Sequence, residues 1–354
     1  MENQSLRECK TSNKQKYIGM NMLVHFLLLL GVTVVEPSST SLAQTNSEVI
    51  IQNLERPHLV LWSPNNNNVA VSEFTSGRFV IHVLDLNIRD FVKSFEVSEY
   101  EPAIAWSPDG QFLAYTETYE TIKIVSIATG QIQTTFSALG ATSMSWMPNA
   151  NVLAVTATEG IDNRFVTTWD TQTGDWLSTY QDNFQGAVST AWSPDATQLA
   201  AVNLDASLTL WETQNNDGFV MLSAGGFYNV PPDFHTNQAI AWSPDGSRIA
   251  TIANDNAQAS YVIYVWDVQN KELLTELIGH DNLVTAAVWS PDGAHIATSS
   301  YDSTIRIWDS ATFEVVDEFT DHTDFVTSLS WKPDGMGIVS ASYDGTIRYW
   351  QLES

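Results

Sequence analysis

Two sets of residues in this sequence have the side-chain types that nucleophilic catalysis requires. His280, Ser300 and Asp302 form one set, and His322, Ser342 and Asp344 form the other. A carboxylate can fix an imidazole tautomer, the imidazole can take a hydroxyl proton, and the serine oxygen can then attack a carbonyl. The second set repeats the spacing of the first, 42 residues further on. Each is followed by a tryptophan, Trp308 and Trp350, whose indole N–H can only donate. A catalytic constellation occurs once, in a cleft. A set that recurs at a fixed period belongs to a repeat unit, and a structural role is expected for it.

Other chemistry finds little support. The sequence contains no GxxxxGKS/T, HExxH, GxSxG or CxxC pattern, so phosphate-cradling, zinc-hydrolase, nucleophile-elbow and thiol signatures are lacking. Asp281, Asp321 and Asp324 lie close to the two repeated histidines and invite a calcium site. No DxDxDG-like loop accompanies them, so they read as solvated turn carboxylates. His58, His82 and His295 stand alone and read as strand-surface residues. No metal or cofactor is therefore expected. Forty-one acidic residues oppose 15 basic ones, for a formal charge of −26, and no Lys/Arg cluster follows Lys16. That field repels nucleic acid and anionic membrane and favours a basic protein partner. A monomer that binds no nucleic acid is the expectation.

The elements that must hold these residues come from an internal repeat. Residues 279–309 (GHDNLVTAAVWSPDGAHIATSSYDSTIRIWD) align without a gap with residues 321–351 (DHTDFVTSLSWKPDGMGIVSASYDGTIRYWQ). Each copy reads as three short strands: an apolar run ending in tryptophan, an Asp-Gly turn, a second run, a tight turn, and a third run. Asp-Gly between apolar runs is a hairpin signal, because glycine supplies the positive φ. A fourth run, such as residues 273–278, follows the third. Trp-x-Pro marks recur at Trp62, Trp106, Trp146, Trp192, Trp242, Trp289 and Trp331, which makes seven units. A second tryptophan ends the third run at Trp169, Trp211, Trp266, Trp308 and Trp350, with Leu84 and Val125 in the first two units. Only Trp176 falls outside these positions, so the others are expected to pack one unit against the next.

Gly279-His280, the run from Trp289 to Gly293, Asp302 and Trp308-Asp309 carry a resemblance to the WD-repeat family of β-propellers. The resemblance covers residues 47–354 and weakens toward the N-terminus, where the family histidine is replaced in the first five units. It implies an all-β fold: a seven-bladed β-propeller of four-stranded antiparallel blades. It also implies a buried His–Ser/Thr–Asp–Trp tetrad, here matched to His280, Ser300, Asp302 and Trp308, and to His322, Ser342, Asp344 and Trp350. Blade four keeps Asp205 and Trp211 with Asn203 at the serine position. The last blade lacks its fourth strand, and the isolated run at residues 47–53 is expected to supply it and close the ring. Closure removes an edge that would otherwise template aggregation.

Residues 1–43 differ from the rest. Lysines precede an apolar run at residues 22–35, and Ser41-Leu42-Ala43 offers small residues for cleavage, which reads as a signal peptide. Export to the periplasm or outside is the expectation, with a membrane anchor as the alternative. One propeller domain is then expected over residues 44–354, without cysteine, since Cys9 lies in the leader.

Three insertions interrupt the repeat: residues 159–164 with Asp162 and Arg164, residues 254–260 with Asp255, and residues 225–237 with Phe227, Tyr228, Phe234 and His235. In a propeller all three open on one face, in one sector. Loops on a rigid scaffold carry binding residues, and aromatic anchors dominate interfaces, so these seven are the candidate binding residues. The functional expectation is a non-catalytic protein-interaction scaffold. The alternative is a propeller enzyme, or a TolB-like periplasmic propeller, acting at the central channel. First strands such as VTAAVW and VTSLSW, small and hydroxyl-bearing, favour a packed channel over that alternative.

Overall fold

In a computed structural model of the chain, the described residues are 44–354, without 66–67, 98–99, 160–162, 182–185, 215–216, 222–237, 256–259 and 353–354. They form a strand β1 (Gln44–Ile51) followed by seven groups of strands. Blade one is β2 to β5 (Pro57–Trp62, Asn68–Thr75, Arg78–Asp85, Asp90–Glu96). Blade two is β6 to β9 (Ile104–Trp106, Phe112–Thr116, Thr121–Ser126, Ile132–Ser137). Blade three is β10 to β13 (Met144–Trp146, Val152–Glu159, Asn163–Asp170, Trp176–Tyr180). Blade four is β14 to β17 (Ala187–Trp192, Gln198–Asn203, Leu208–Glu212, Asp217–Met221). Blade five is β18 to β21 (Ile240–Trp242, Arg248–Asp255, Ser260–Asp267, Glu272–Ile278). Blade six is β22 to β25 (Val284–Trp289, His295–Ser300, Ile305–Asp309, Val315–Phe319). Blade seven is β26 to β28 (Val326–Trp331, Gly337–Ser342, Thr346–Leu352). Every sheet is four-stranded and antiparallel, and β1 supplies the fourth strand of blade seven. The result is a seven-bladed propeller, as the repeat predicts.

Burial follows radius. The innermost β22 and β26 are buried at nearly every residue, whereas the outer β5 alternates between exposed and half-buried. Inner strands are flanked by neighbours on both faces, so small residues fit where sheets converge. The turn after the inner strand of blade six has a local cause. Ser290 Oγ donates to Asp292 Oδ1 at 2.6 Å, Asp292 accepts the Ala294 N–H, and Gly293 takes φ +75°. Without a Cβ, glycine adopts that conformation at little cost.

Ring closure is close to the expected strand. Ser47 pairs with Trp350 and Val49 with Arg348, and pairing extends back to Gln44 and ends at Ile51. Asn53 then turns the chain at φ +68°. Ile50, Ile51 and Leu54 pack with Val60, Val71 and Leu84 of blade one and with Val339 and Ile347 of blade seven. One strand thus joins the first blade to the last.

At the axis, inner-strand hydroxyls bond the backbone of adjacent blades. Ser328 and Ser330 accept the N–H groups of Val60 and Trp62, and Ser143 and Ser145 accept those of Thr190 and Trp192. Gln238 crosses from blade five to blade seven, donating to the Leu329 carbonyl at 2.6 Å and accepting from Ser328 Oγ at 2.7 Å.

Candidate interaction face

Antiparallel order puts the ends of second strands, the starts of third strands and the entries to inner strands on one edge of every blade. On that edge the two repeat copies carry a tyrosine just before the tetrad aspartate, Tyr301 and Tyr343. Tyr301 stacks on Phe325 with centroids 4.3 Å apart and planes 8° from parallel. Tyr343 lies 6.2 Å from Phe325 and meets His58 edge-on at 5.1 Å. His58 meets Phe79 at 5.2 Å, and Phe79 meets Phe74 at 4.9 Å. In blade two, Tyr100 and Tyr119 lie 5.8 Å apart on the same edge. Phe325, Tyr100 and Tyr119 are 36%, 55% and 47% exposed, so a row of rings reaches solvent across blades six, seven, one and two.

Polar groups sit among the rings. Arg56 lies 5.9 Å from the Tyr343 centroid, and Glu101 reaches His58 Nδ1 at 3.4 Å. Burial, and then the Arg56 charge, push His58 down to about 4, and Glu101 does not reverse this. The imidazole is therefore neutral at neutral pH and serves as an aromatic wall. The Tyr343 hydroxyl is pushed far above its usual range by burial, then by Tyr301 and Glu101. Exposed Glu120, Asp281, Asp321 and Asp324 lie at the same edge and keep it acidic. Insertion-based reasoning missed this row. Its signal was the tyrosine repeated at equivalent positions of the two copies.

The expected binding residues fare differently. Phe227, Tyr228, Phe234, His235 and Asp162 lie outside the described residues. Arg164 is half-buried in β12, and its stem lies against Gly186 of blade four. Asp255 ends β19, opposite Ser260. The hairpins β11–β12 and β19–β20 are eight residues long on each strand, so the insertions at 159–164 and 254–260 fall partly within strands rather than wholly in turns, and β3–β4 of blade one equals them. That third long hairpin was unmarked because Ser76-Gly77 makes a tight turn at φ +53° and +82°.

The tetrads form, with one correction. His280 Nδ1 is 2.8 Å from Asp302 and its Nε2 is 2.8 Å from the Thr298 hydroxyl, not from Ser300. His322 likewise bonds Asp344 at 2.8 Å and Ser340, not Ser342, at 2.7 Å. Register explains the shift. Trp308 pairs with Ile296 and Trp350 with Ile338, so each indole reaches the side chain two residues further on the same face, at 298 or 340. Ser300 and Ser342 lie two residues beyond, where each donates to a carbonyl, of Asn282 and Asp324. Burial alone would raise Asp302 and Asp344, but hydrogen bonds from the histidines, reinforced by Thr304 and Thr346, hold both well below the usual carboxylate range.

His82 is not isolated either. Its Nδ1 is 2.8 Å from Ser94 Oγ and its Nε2 is 3.3 Å from Glu73, across three strands of blade one, with the ring stacked on Phe91 at 4.3 Å. Among the described residues, no group of three or more His, Cys, Asp or Glu side chains is placed to hold a metal ion.

Comparison with known proteins agrees with this architecture. The model of the WD domain, G-beta repeat, matches residues 271–309 and 313–351. Actin-interacting protein 1 of Drosophila melanogaster is 22% identical over 261 residues, 69% of this chain and 41% of that protein. Periodic tryptophan protein 2 homolog of Mus musculus is 25% identical over 170 residues, 39% of this chain and 18% of that protein. A probable cytosolic iron-sulfur protein assembly protein 1 of Vanderwaltozyma polyspora is 30% identical over 91 residues, 22% of this chain and 24% of that protein. The matches span less than half the length of each relative. They correct the expectation of export: one relative is named for the cytosol and another for actin, and both export and the membrane anchor are withdrawn. Residues 1–43, read from the sequence as a leader, lie outside the described residues, and no described helix is long and apolar enough to cross a membrane.

Proposed function

Because the chain belongs to the WD-repeat family of β-propellers, we propose that it is a non-catalytic protein-interaction scaffold that docks its partner on the aromatic edge of blades six, seven, one and two. The observation that carries this reading is the Tyr301–Phe325–Tyr343 row, braced by His58 and open to solvent at Phe325. Rigid rings bury large areas at small entropic cost, which is why they anchor interfaces. The partner's contact surface is basic, since a net charge of −26 and the carboxylates at this edge steer cations toward it. Residues 44–354 work as one monomeric domain. Arg164 in β12 and Asp255 at the end of β19 carry the same edge into blades three and five, and Asp162, Phe227, Tyr228, Phe234 and His235, outside the described residues, are proposed as further contacts of the partner.

The test is capture of the partner from cell extract, followed by affinity measurement with purified components. Tyr301→Ala and Phe325→Ala should each weaken binding by about 2 kcal/mol. Met336, 58% exposed in the turn of blade seven on the opposite edge, is the control. Equal losses from Met336→Ala and Phe325→Ala, or wild-type affinity in both aromatic variants, would place the contact elsewhere.

A further inference from the structure

The opposite edge carries a different kind of feature, at the seam between blades two and three. In blades two, four, five and six the inner-strand tryptophan is followed by Ser-Pro-Asp, and the serine hydroxyl donates to the aspartate at 2.6 Å. In most blades the indole N–H crosses to the preceding blade, with or without this turn: Trp331, followed by Lys-Pro-Asp, donates to the Val288 carbonyl at 3.2 Å, whereas Nε1 of Trp62 and of Trp289 has no partner among the described residues. Trp106, Trp192 and Trp242 donate to inner-strand carbonyls of the preceding blade, those of Leu61, Ser145 and Ala191, at 3.1 to 3.2 Å. Blade three reads Trp146-Met-Pro-Asn-Ala instead. Neither member of the Ser–Asp pair is present, and the positive φ falls one residue earlier in the turn, on Asn149 at +58°. In blade four it stays at the glycine position, on Ala196. The Trp146 indole correspondingly bonds within its own turn, to the Ala150 carbonyl at 3.2 Å, and is only half-buried.

Beside this indole, at the seam between blades two and three, a cleft of about 340 Å³ opens. That volume falls within the range of small-molecule pockets, about 300–1,000 Å³. Trp146 and Phe112 supply aromatic surface on its two sides. Gln133, Asn149, Asn151 and Gln172 line it, and none of these amides donates a hydrogen bond to another described residue. Asp109 is the one ionisable side chain of the lining, and its carboxylate already accepts from Ser107 and from the Gln111 N–H. With no cation in the lining and the Asp109 carboxylate among it, the cleft gives an anion no opposite charge. Amides that both donate and accept, set around an indole, suit a neutral ring with apolar C–H faces and hydroxyls at its edges. We propose that this seam is a binding site for a neutral sugar ring, distinct from the protein-docking edge.

The test is saturation-transfer NMR of the full chain with glucose, galactose, mannose, N-acetylglucosamine and their β-linked disaccharides at millimolar concentration. At least one sugar should show transfer to its ring C–H protons. Trp146→Ala should weaken its apparent affinity about tenfold, as expected for loss of an aromatic platform. A second variant guards against simple misfolding. Met147→Ser with Asn149→Asp and Ala150→Gly gives blade three the turn of blades two, five and six and should carry the indole N–H to the preceding blade, as in blades two and five. That triple variant should keep or raise the melting temperature while abolishing transfer. Phe325→Ala, on the opposite edge, should leave it unchanged. A disaccharide bound much more tightly than its monosaccharide would mark a glycan chain as the source, and equal affinities a free sugar. No transfer from any sugar overturns the proposal, as does transfer that persists in the triple variant.

Discussion

The hydroxyl of Thr298 accepts the indole N–H of Trp308 at 2.9 Å, across two strands of blade six. The same oxygen is 2.8 Å from His280 Nε2, so one hydroxyl serves both a tryptophan and a histidine. Ser340 does so for Trp350 and His322 in blade seven, at 2.8 and 2.7 Å. In blade five, Trp266 keeps the bond, to Thr251 at 2.8 Å.

Thr298→Val preserves shape and β-branching but leaves the indole and imidazole facing a methyl group. Each buried polar atom left unsatisfied costs about 1–3 kcal/mol. Ser300→Ala loses only the hydroxyl's bonds to Asn282 O and the Asp302 N–H. Urea titration should therefore show Thr298→Val at least about 1 kcal/mol less stable than Ser300→Ala. The reverse order would restore Ser300 to the tetrad.

These tetrads show where sequence reasoning stops. The histidine, aspartate and tryptophan were legible because their spacing repeats, and the number of blades followed from the Trp-x-Pro marks. The hydroxyl was not, because residues 298 and 300 share a face and only the register Ile296–Trp308 decides between them. Strand β1 was legible as an apolar run without a neighbour. The aromatic edge was hidden for another reason: Phe325, Tyr343 and His58 come from different connections and meet only after the ring closes. Trp146 kept its repeat position while its turn lost the Ser–Asp pair, so position alone did not reveal that the indole had moved.

Two acid limbs are expected in the stability profile. His58 has a folded pKa of about 4, below the ordinary 6.5. As pH falls through that interval the unfolded chain takes the proton first, so stability declines, by an amount on the order of 3 kcal/mol in all. Asp302 and Asp344 are depressed, so the stability they add is complete above about pH 4 and is lost below it as their folded pKa is approached. Chemical denaturation at a series of pH values separates the two. His58→Gln should flatten the upper limb, and Asp302→Asn should weaken the lower one while costing stability at neutral pH. Parallel profiles for all three proteins would contradict both assignments.

Ring closure predicts a large effect from a small deletion. A chain beginning at Leu54 lacks β1, which leaves the Trp350 edge unpaired and removes Ile50 and Ile51 from the cluster shared by blades one and seven. Its melting temperature should drop sharply, and light scattering should show association through the open edge. The Glu48–Arg89 ion pair contributes little to this, since both partners are about half exposed, at 49% and 56%. Arg89→Ala should accordingly leave the melting curve within about 0.5 kcal/mol of wild type. A deletion variant that melts like the intact chain would mean that blade seven is stable with three strands.

Gln238 makes the most specific prediction about the axis. It is 7% exposed, donates to Leu329 O, accepts from Ser328 Oγ, and its own carbonyl receives the Ala287 N–H at 3.3 Å. The backbone bond survives any substitution. The side-chain bonds do not, and they tie blade five directly to blade seven across the ring. Gln238→Leu keeps the length but offers neither donor nor acceptor, so the Leu329 carbonyl loses a partner. Ser328 still holds the Val60 N–H at 2.9 Å and can turn its proton toward the Val60 carbonyl at 3.2 Å, so its loss is smaller. The cost should therefore approach that of one unsatisfied buried group, about 1–3 kcal/mol, rather than two. Hydrogen exchange should locate it: faster exchange confined to β18 and β26 would show that the glutamine acts as a strut. Uniform acceleration around the ring, or none, would show that the inner-strand hydroxyls hold the axis without it.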